Sequence, residues 1–303
     1  MAQVDEEPVG SLLAPFRRFC CQQSCAVNQD IYDRNSLATH SVQGMDEDAV
    51  AGKAGHEAFT FSSSDVDVMV ERPEMGVEDG ATYQGQWLGS LRHGIGVLKK
   101  KDGQTYEGEF QSGLPHGVGT FWAVNGNMYS GQWFKDMAHG DGKFVHKDGS
   151  SYEGQWLEDE KNGRGVEVWA DGARYDGEFL RGGKHGDGVY ESGTGIKYRG
   201  QFCHDRMEGE GSYQFVDGRV YCGQWKRGHM DGIGKMTWMS GSTYEGSYEK
   251  DCKSGEGTYT WPNGQVFRGQ WRNGKQDGTG EFIDTYGCKT VGNWKAGEPV
   301  QPP

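Results

Sequence analysis

The chain has 303 residues, a net charge of −13 and a composition rich in glycine and aromatic residues. It contains 51 glycines and 34% hydrophobic residues, and 12% of its residues are aromatic. This balance suits a thin, aromatic-packed sheet better than a thick aliphatic core. Residues 1–75 hold 13 acidic and 5 basic residues, which leaves 31 acidic and 26 basic residues in the remainder. Neither part has the net basic surface that displaces counterions from nucleic acid, so nucleic-acid binding is not expected.

Residues 1–76 show neither a repeat nor a sustained helical or strand periodicity. From Gln43 to Val70 the sequence mixes acidic residues, serine, glycine and alanine with few large apolar side chains. Such a segment cannot bury enough apolar surface to offset the entropy lost on ordering. We therefore predict a largely disordered tail over residues 1–76, followed by a repeat array over residues 77–303.

One patch of this tail, residues 11–25, has a distinct character. Two arginines lie between Phe16 and Phe19, directly before the paired Cys20 and Cys21. A cysteine pair beside apolar and basic residues is compatible with S-palmitoylation, and two acyl chains suffice for stable membrane anchoring. The alternative is a short partner-binding or incidental apolar patch.

The remaining features of the composition concern the cellular compartment. The seven cysteines are odd in number and irregularly placed, which argues against a disulfide framework. No apolar stretch approaches the roughly 18–20 residues that span a bilayer, and no run resembles a signal peptide. These features favour a reduced, cytoplasmic protein, at most peripheral to a membrane or to the cytoskeleton.

From Tyr83 onward the sequence repeats every 23 residues without insertion or deletion. Each unit has an aromatic residue, a glycine two positions later and a second aromatic residue four positions later, and it closes on Gly-x-Gly. A fixed period of this length indicates stacked structural units, which form binding surfaces more often than catalytic pockets. The first aromatic residues of the units are Tyr83, Tyr106, Tyr129, Tyr152, Tyr175, Tyr198, Tyr221, Tyr244 and Phe267.

The spacing within a unit is that of β-strands. Tyr129, Gly131 and Trp133 occupy alternate positions, so in a strand they share one face. The closing glycines begin a second alternation, as in Gly119 and Phe121. Each unit thus supplies two short strands, and the series predicts an all-β fold: an elongated, single-layer, twisted antiparallel sheet of nine hairpins.

The positions of the glycine residues lead to two further predictions about these hairpins. Asp-Gly or Asn-Gly pairs, such as Asp102-Gly103 and Asn125-Gly126, lie between strands and favour tight two-residue turns. Glycines inside strands normally weaken a sheet. We interpret them here as space for aromatic rings of the adjacent unit.

The pattern Tyr-x-Gly-x-Trp, a polar loop and His-Gly-x-Gly resembles the MORN (membrane occupation and recognition nexus) repeat. Clear matches begin at Tyr83, Tyr152 and Tyr221, and a half-unit surrounds Trp294. The resemblance implies an elongated, frequently dimeric sheet that acts as a scaffold at cytoskeletal and membrane structures such as cilia. Several members present an aromatic groove to a helical or extended partner segment. Glu167 departs from the pattern by replacing an apolar residue.

These observations favour a non-enzymatic scaffold that binds a protein segment along its aromatic face. Most of the aromatic ladder is expected to form the core of the sheet. A single layer cannot cover both of its faces, however, and exposed aromatic side chains with polar rims are preferred anchors for partner segments. By their central position, the predicted partner-binding residues are Tyr129, Trp133, Trp156, Tyr175 and Phe179.

No catalytic, cofactor or metal site is expected. Four histidines (His93, His116, His139 and His185) share one position of the unit, but Asn, Glu, Asp or Ser fill it elsewhere. A short polar side chain there is suited to hydrogen bonding of a turn. Neighbouring units should lie about 10 Å apart, whereas the nitrogen ligands of one zinc ion lie at about 2 Å from it. The Gly-x-Gly also lacks the strand–loop–helix setting of a phosphate-binding loop.

Two alternative functions remain open, and the sequence also predicts a homodimer. The array could bind phosphoinositides or other anionic lipids, although its acidic balance does not favour this, or it could target a separate lipid kinase. A homodimer is predicted through an array end, where a strand edge would otherwise stay unpaired.

Overall fold

Residues 68–300 form one open antiparallel β-sheet, which confirms the predicted fold class. The structure, a computed structural model, describes these residues, and the predicted acylation sites Cys20 and Cys21 lie outside them. Each strand pairs with the strands before and after it in sequence, so the sheet is a meander. A single turn of 3-10 helix lies at Glu78–Gly80. The 21 strands of residues 68–300 are β1 (Met69–Gly76), β2 (Thr82–Leu88), β3 (Leu91–Lys99), β4 (Thr105–Gln111), β5 (Leu114–Trp122), β6 (Met128–Phe134), β7 (Met137–Val145), β8 (Ser151–Leu157), β9 (Glu160–Val168), β10 (Arg174–Leu180), β11 (Gly183–Glu191), β12 (Lys197–Cys203), β13 (Arg206–Gln214), β14 (Val220–Lys226), β15 (His229–Thr237), β16 (Thr243–Glu249), β17 (Cys252–Thr260), β18 (Val266–Arg272), β19 (Lys275–Ile283), β20 (Lys289–Lys295) and β21 (Glu298–Val300).

Each repeat is a hairpin of a seven-residue strand and a nine-residue strand, as in β6 and β7. Within this hairpin Tyr129 lies opposite Phe144, and Gly131 lies opposite Gly142. Phe144 also lies opposite Tyr152 of the next repeat. Because directly opposed residues project to the same side of a sheet, these aromatic side chains share one face.

The tight two-residue turns lie elsewhere than the sequence predicted. In the β6–β7 hairpin the turn is Lys135-Asp136, whose φ angles are 50° and 69°, as a type I′ turn requires. The Asn-Gly segment before β6 forms a longer turn instead. There the Gly126 N–H donates to Ala123 O at 3.0 Å, and the Ala123 N–H donates to Asn127 O at 2.9 Å. The prediction was wrong because a glycine with positive φ also completes longer hairpin loops.

A bulge interrupts each hairpin at its Gly-x-Gly. In β6–β7 the register shifts after Gly131, and residues 139–141 face the single residue Gln132. The Gln132 side-chain oxygen accepts a hydrogen bond from the Asp141 N–H at 2.8 Å. This side chain therefore satisfies a backbone donor that the bulge leaves unpaired. The same bond is made by Gln86, Glu109, Gln155, Gln201, Gln224 and Gln270.

The strand glycines do make room for aromatic rings, but the ring belongs to the same repeat rather than to the adjacent one. A Cβ on Gly142 would lie 2.2 Å from Tyr129 Oη. The Tyr129 hydroxyl donates to Gln132 O at 2.9 Å. Its ring meets Trp133 of its own repeat and Trp156 of the next edge-to-face, with centroids 5.0 and 5.3 Å apart. Such pairs add about 0.5–1.5 kcal/mol each beyond area burial, so the ladder links every repeat to its neighbour.

Additional strands extend the sheet at both ends. β1 pairs with β2, so the sheet begins at Met69, inside the predicted disordered segment. The Arg72 guanidinium carbon lies 4.9 Å from the Trp87 ring centroid. At the other end Trp294 of β20 packs on Phe267 with centroids 4.9 Å apart, and β21 pairs with β20. These strands cover the terminal rings of the ladder.

Candidate partner-binding face

One face of the sheet carries three rows of side chains. The inner row consists of the two aromatic residues of each seven-residue strand from β2 to β18, together with Trp294 of β20. The other two rows lie opposite these residues on the nine-residue strands. The outer row, opposite the tyrosines, is Leu98, Phe121, Phe144, Glu167, Tyr190, Tyr213, Met236, Tyr259 and Phe282. The turn-side row, opposite the second aromatic residues, is Arg92, Pro115, Ala138, Lys161, Lys184, Met207, Met230, Lys253 and Gln276.

All five residues predicted to contact a partner belong to the inner row, and all are buried. Tyr129, Trp133, Trp156, Tyr175 and Phe179 are 3%, 5%, 4%, 0% and 3% exposed. Each ring packs against an aromatic ring of its own repeat and one of a neighbouring repeat. These side chains form the floor of the face, and their direct contact with a partner stays a prediction.

The accessible aromatic surface lies mainly in the C-terminal half of the array. Trp261, for example, lies 4.7 Å from Tyr259 and 5.9 Å from Phe282 between ring centroids, and all three rings are half-buried. Rings of this kind keep part of their area available above the buried floor. The half-buried aromatic residues between 169 and 282 that pack on the inner row are Trp169, Tyr190, Tyr213, Phe215, Trp238, Tyr259, Trp261 and Phe282.

Four of the nine turn-side residues are cations, and three of them have a carboxylate partner. Arg92 pairs with Glu78, Lys161 with Glu167, and Lys184 with Asp205. In the third pair, Asp205 Oδ1 accepts from Lys184 Nζ at 3.3 Å and from the Lys184 backbone N–H at 2.8 Å. The departure at Glu167 is thereby explained, since this carboxylate serves the cation of its own repeat.

Lys253 is the fourth cation, and its surroundings are aromatic. Its ammonium lies 5.5, 5.3, 4.8 and 4.5 Å from the ring centroids of Trp238, Tyr244, Tyr259 and Trp271. Among residues 68–300 no carboxylate lies within 4.0 Å of this ammonium. Burial lowers the pKa of Lys253 because water stabilises the charged form less at this position.

Asp136 is a buried acid on the turn-side edge, 8% exposed. Equivalent turn aspartates accept a backbone hydrogen bond: Asp159 Oδ1 accepts from the Ala138 N–H at 2.8 Å. One repeat earlier, Pro115 takes the place of Ala138 beside Asp136. Because proline has no N–H, it cannot donate this hydrogen bond to the Asp136 carboxylate. Burial raises the pKa of Asp136 to about 6, and the charge of Lys100 opposes that rise.

The histidine position of the repeat behaves in two ways. Acidic residues there do accept hydrogen bonds from turn backbones, as predicted: the Arg227 N–H donates to Glu208 Oε2 at 2.9 Å. His116 and His139 instead pack against Phe134, with ring centroids 5.3 and 5.6 Å apart. In residues 68–300 no group of three or more potential ligands is arranged to hold a metal ion. No helix in the same range is long and apolar enough to cross a membrane.

An open meander of near-identical hairpins, joined by a continuous aromatic ladder, defines a β-repeat array. The family model described as MORN repeat matches residues 83–105, 106–128, 129–151, 152–174, 175–197, 198–218, 221–243, 244–266 and 267–288. The chain therefore belongs to the MORN repeat family. Among curated proteins none matches the chain.

Solved structures resemble the chain only distantly. The SAS-4 (dCPAP) TCP domain of Drosophila melanogaster, in complex with a proline-rich motif of Ana2, is 11% identical with a TM-score of 0.32, over 57% of this chain and 86% of that one. The TCP10 domain of Danio rerio CPAP is 10% identical with a TM-score of 0.25, over 75% of this chain and 97% of that one.

None of the turn-side residues was among the partner-binding residues predicted from the sequence. The signal was present as a break in the period, because Lys253 shares its place in the repeat with Ala138 and Met230. Gly274 likewise stands where Asp205 stands three repeats earlier. Both departures are visible in the sequence at single positions of the polar loop.

Proposed function

We propose that this protein is a non-enzymatic scaffold whose aromatic face binds an extended or helical segment of a partner protein. The observation that carries the proposal is the half-buried aromatic rim between Trp169 and Phe282, above the buried floor of the inner row. Aromatic side chains beside polar groups are the preferred anchors of protein interfaces. MORN repeats are in general non-enzymatic scaffold units.

The proposed surface differs from the site expected from sequence alone. The predicted residues, Tyr129 to Phe179, supply rigid support rather than accessible area, because their rings are almost fully covered. Tyr190, Tyr213 and Tyr259 are the proposed partner contacts, because they combine a ring, a hydroxyl and partial exposure. A cytoskeletal or membrane-peripheral location, lipid binding and a homodimer through an array end stay predictions.

The test compares what two full-length variants capture from a lysate of the native organism. The triple variant Tyr190→Ser, Tyr213→Ser and Tyr259→Ser alters the outer row. The control variant Val118→Ser and Ile233→Ser alters side chains that are each 58% exposed on the opposite face. Circular dichroism and melting temperature first establish that both variants are folded.

Quantitative mass spectrometry then measures the captured proteins. We expect a defined set of proteins to fall about tenfold or more with the outer-row variant, since aromatic anchors typically cost at least 2 kcal/mol when truncated. The control should retain this set. Equal recovery by both variants would show that the aromatic face is not the binding surface.

A further inference from the structure

The pocket beside Lys253 is an open space of about 290 Å³ next to the aromatic rim. We propose that it binds a carboxylate carried by an acidic segment of a partner protein, which rests on the proposed partner-binding role of this face. The pocket is lined by Lys253, Tyr259, Trp261, Trp271 and Gly274, among others. It therefore combines one cation, three aromatic rings and an accessible opening.

The array contains its own precedent for a carboxylate at this position. Asp205 Oδ1 of the sixth repeat accepts hydrogen bonds from both the backbone N–H and the ammonium of Lys184 in the fifth. Lys184 also lies over aromatic rings, 4.9 Å from the Trp169 centroid and 5.8 Å from the Tyr175 centroid. A cation over aromatic rings with a carboxylate beside it is thus a stable arrangement on this scaffold.

The eighth repeat has the same backbone arrangement without the carboxylate. The Gly274 N–H donates to Lys253 O at 2.9 Å, as the Asp205 N–H donates to Lys184 O at 3.0 Å. Gly274 therefore occupies the place of Asp205 but has no side chain. Because the two backbones match, a carboxylate entering from outside would find the Lys253 backbone N–H placed as that of Lys184 is.

The surroundings of Lys253 favour a protein carboxylate over a small free anion. Partial burial weakens the competition of water for the ammonium, so an ion pair here is worth more than one on an open surface. Trp261 and Tyr259 flank the opening and offer apolar contact to residues on either side of an acidic side chain. Lys275, which also lines the pocket, adds a second positive charge. A segment with a glutamate or aspartate between apolar residues satisfies all of these features.

The experiment uses two dye-labelled peptides that differ in one group. The probe is Ala-Trp-Glu-Trp-Ala-amide with an uncharged dye on its N-terminus, and the matched peptide has Gln in place of Glu. Fluorescence anisotropy measures the binding of each to the full-length protein. We expect the Glu peptide to bind about fivefold tighter or better, as a partly desolvated ion pair implies, and added salt should reduce this preference.

Three variants test whether the preference for the Glu peptide over the Gln peptide depends on Lys253. Lys253→Met is expected to abolish it without unfolding the array, because Met207 and Met230 fill the same position in other repeats. Gly274→Asp should also abolish it by supplying an internal carboxylate, and aspartate already adopts the required backbone at Asp205, whose φ is 64°. Lys235→Met removes a lysine of the opposite face, paired with Glu245, and should leave the preference intact.

The outcomes separate this inference from the proposed function. Equal binding of the two peptides to the unaltered protein, or a preference that survives Lys253→Met, would overturn the carboxylate site while leaving aromatic-face binding intact. Failure of both peptides to bind would also overturn it. The proposed function is judged separately, by whether Tyr190, Tyr213 and Tyr259 are needed for partner capture.

Discussion

The inner row and the turn-side row run side by side along one face, yet they obey different rules. The inner row repeats the same contacts: a tyrosine crosses its glycines and meets one ring of its own repeat and one of the next. The turn-side row instead alternates among arginine, proline, alanine, lysine, methionine and glutamine. A side chain in the inner row touches two repeats, so a change there affects the register of both. The contacts of a turn-side residue differ from repeat to repeat, so this position can vary.

This difference separates the part of the molecule that maintains the sheet from the part that can acquire a binding preference. Repeat arrays derive their stability from contacts between nearest neighbours. The inner row supplies those contacts, and the positions that vary between repeats supply individual charges and pockets. Each of the following predictions changes one position of the repeat and compares it with the same position in another repeat of the chain.

The largest effect is expected for Gly154→Ala, at a glycine that the inner-row residue Tyr152 crosses. A Cβ at this position would lie 2.5 Å from Gly165 Cα and 2.7 Å from Tyr152 Oη. Backbone and ring cannot both move without breaking the contacts to the next repeat, so we expect a loss of about 3 kcal/mol in the free energy of unfolding. Thermal unfolding measures the loss, and amide hydrogen exchange should place it around β8 and β9.

The matched control is Gly292→Ala, at the same position of the final half-repeat. Thr290 replaces the tyrosine there, and an added Cβ would meet only the Trp294 ring, at 3.7 Å. We expect a change within about 0.5 kcal/mol, typical of a surface substitution. If the two variants were equally destabilised, the crossing ring would not be the reason for the strand glycines.

The inner row was largely predictable from sequence, whereas the turn-side row was not. Alternation of Tyr129, Gly131 and Trp133 is a period-two pattern, and it fixes both the strand and the shared face. The accessible part of the face depends instead on how completely each ring is covered, and this follows from the three-dimensional crossing of Tyr129 over Gly142. The two-residue turns were missed because Lys135-Asp136 is a weaker hairpin signal than Asn-Gly.

A moderate, pH-dependent effect is expected for Asp136→Asn. The folded-state pKa of Asp136 is about 6, above its ordinary value of 3.8. The folded protein therefore binds this proton more tightly than the unfolded chain, and the contribution of Asp136 to stability falls as pH rises from about 4 to about 6. At pH 7 the variant should be more stable than the unaltered protein by on the order of 1 kcal/mol, because it lacks a desolvated charge. Urea unfolding at pH 4 and pH 7 should show this gain only at pH 7.

The comparison with Asp159 can be tested by giving Asp136 its missing donor. Pro115→Ala creates an N–H at the place from which Ala138 donates to Asp159. A hydrogen bond to the carboxylate favours its ionised form, so the pKa of Asp136 should fall below about 6 when followed by NMR of the carboxyl carbon. An unchanged pKa would show that burial alone sets it and that the proline has no part in it.

The smallest effect concerns the support of the bulge, where the eighth repeat again departs from the others. Ser247 stands in the place of Gln224, whose side-chain oxygen accepts from the Ile233 N–H at 2.9 Å. Serine is too short to reach the equivalent Glu256 N–H, which has no side-chain acceptor within residues 68–300. Ser247→Gln should supply this hydrogen bond and stabilise the array by about 0.5–1 kcal/mol.

Slower hydrogen exchange at the Glu256 amide would locate that gain, and Gln224→Ser provides the reverse change one repeat earlier. A fall in stability with Gln224→Ser of similar size would show that the bulge contact is worth the same in neighbouring repeats. If Ser247→Gln left both the melting temperature and the Glu256 exchange rate unchanged, the bulge of the eighth repeat would be held by its backbone alone. The seven repeats whose glutamine or glutamate makes this bond would then need another reason for that residue, such as the polarity of the opposite face.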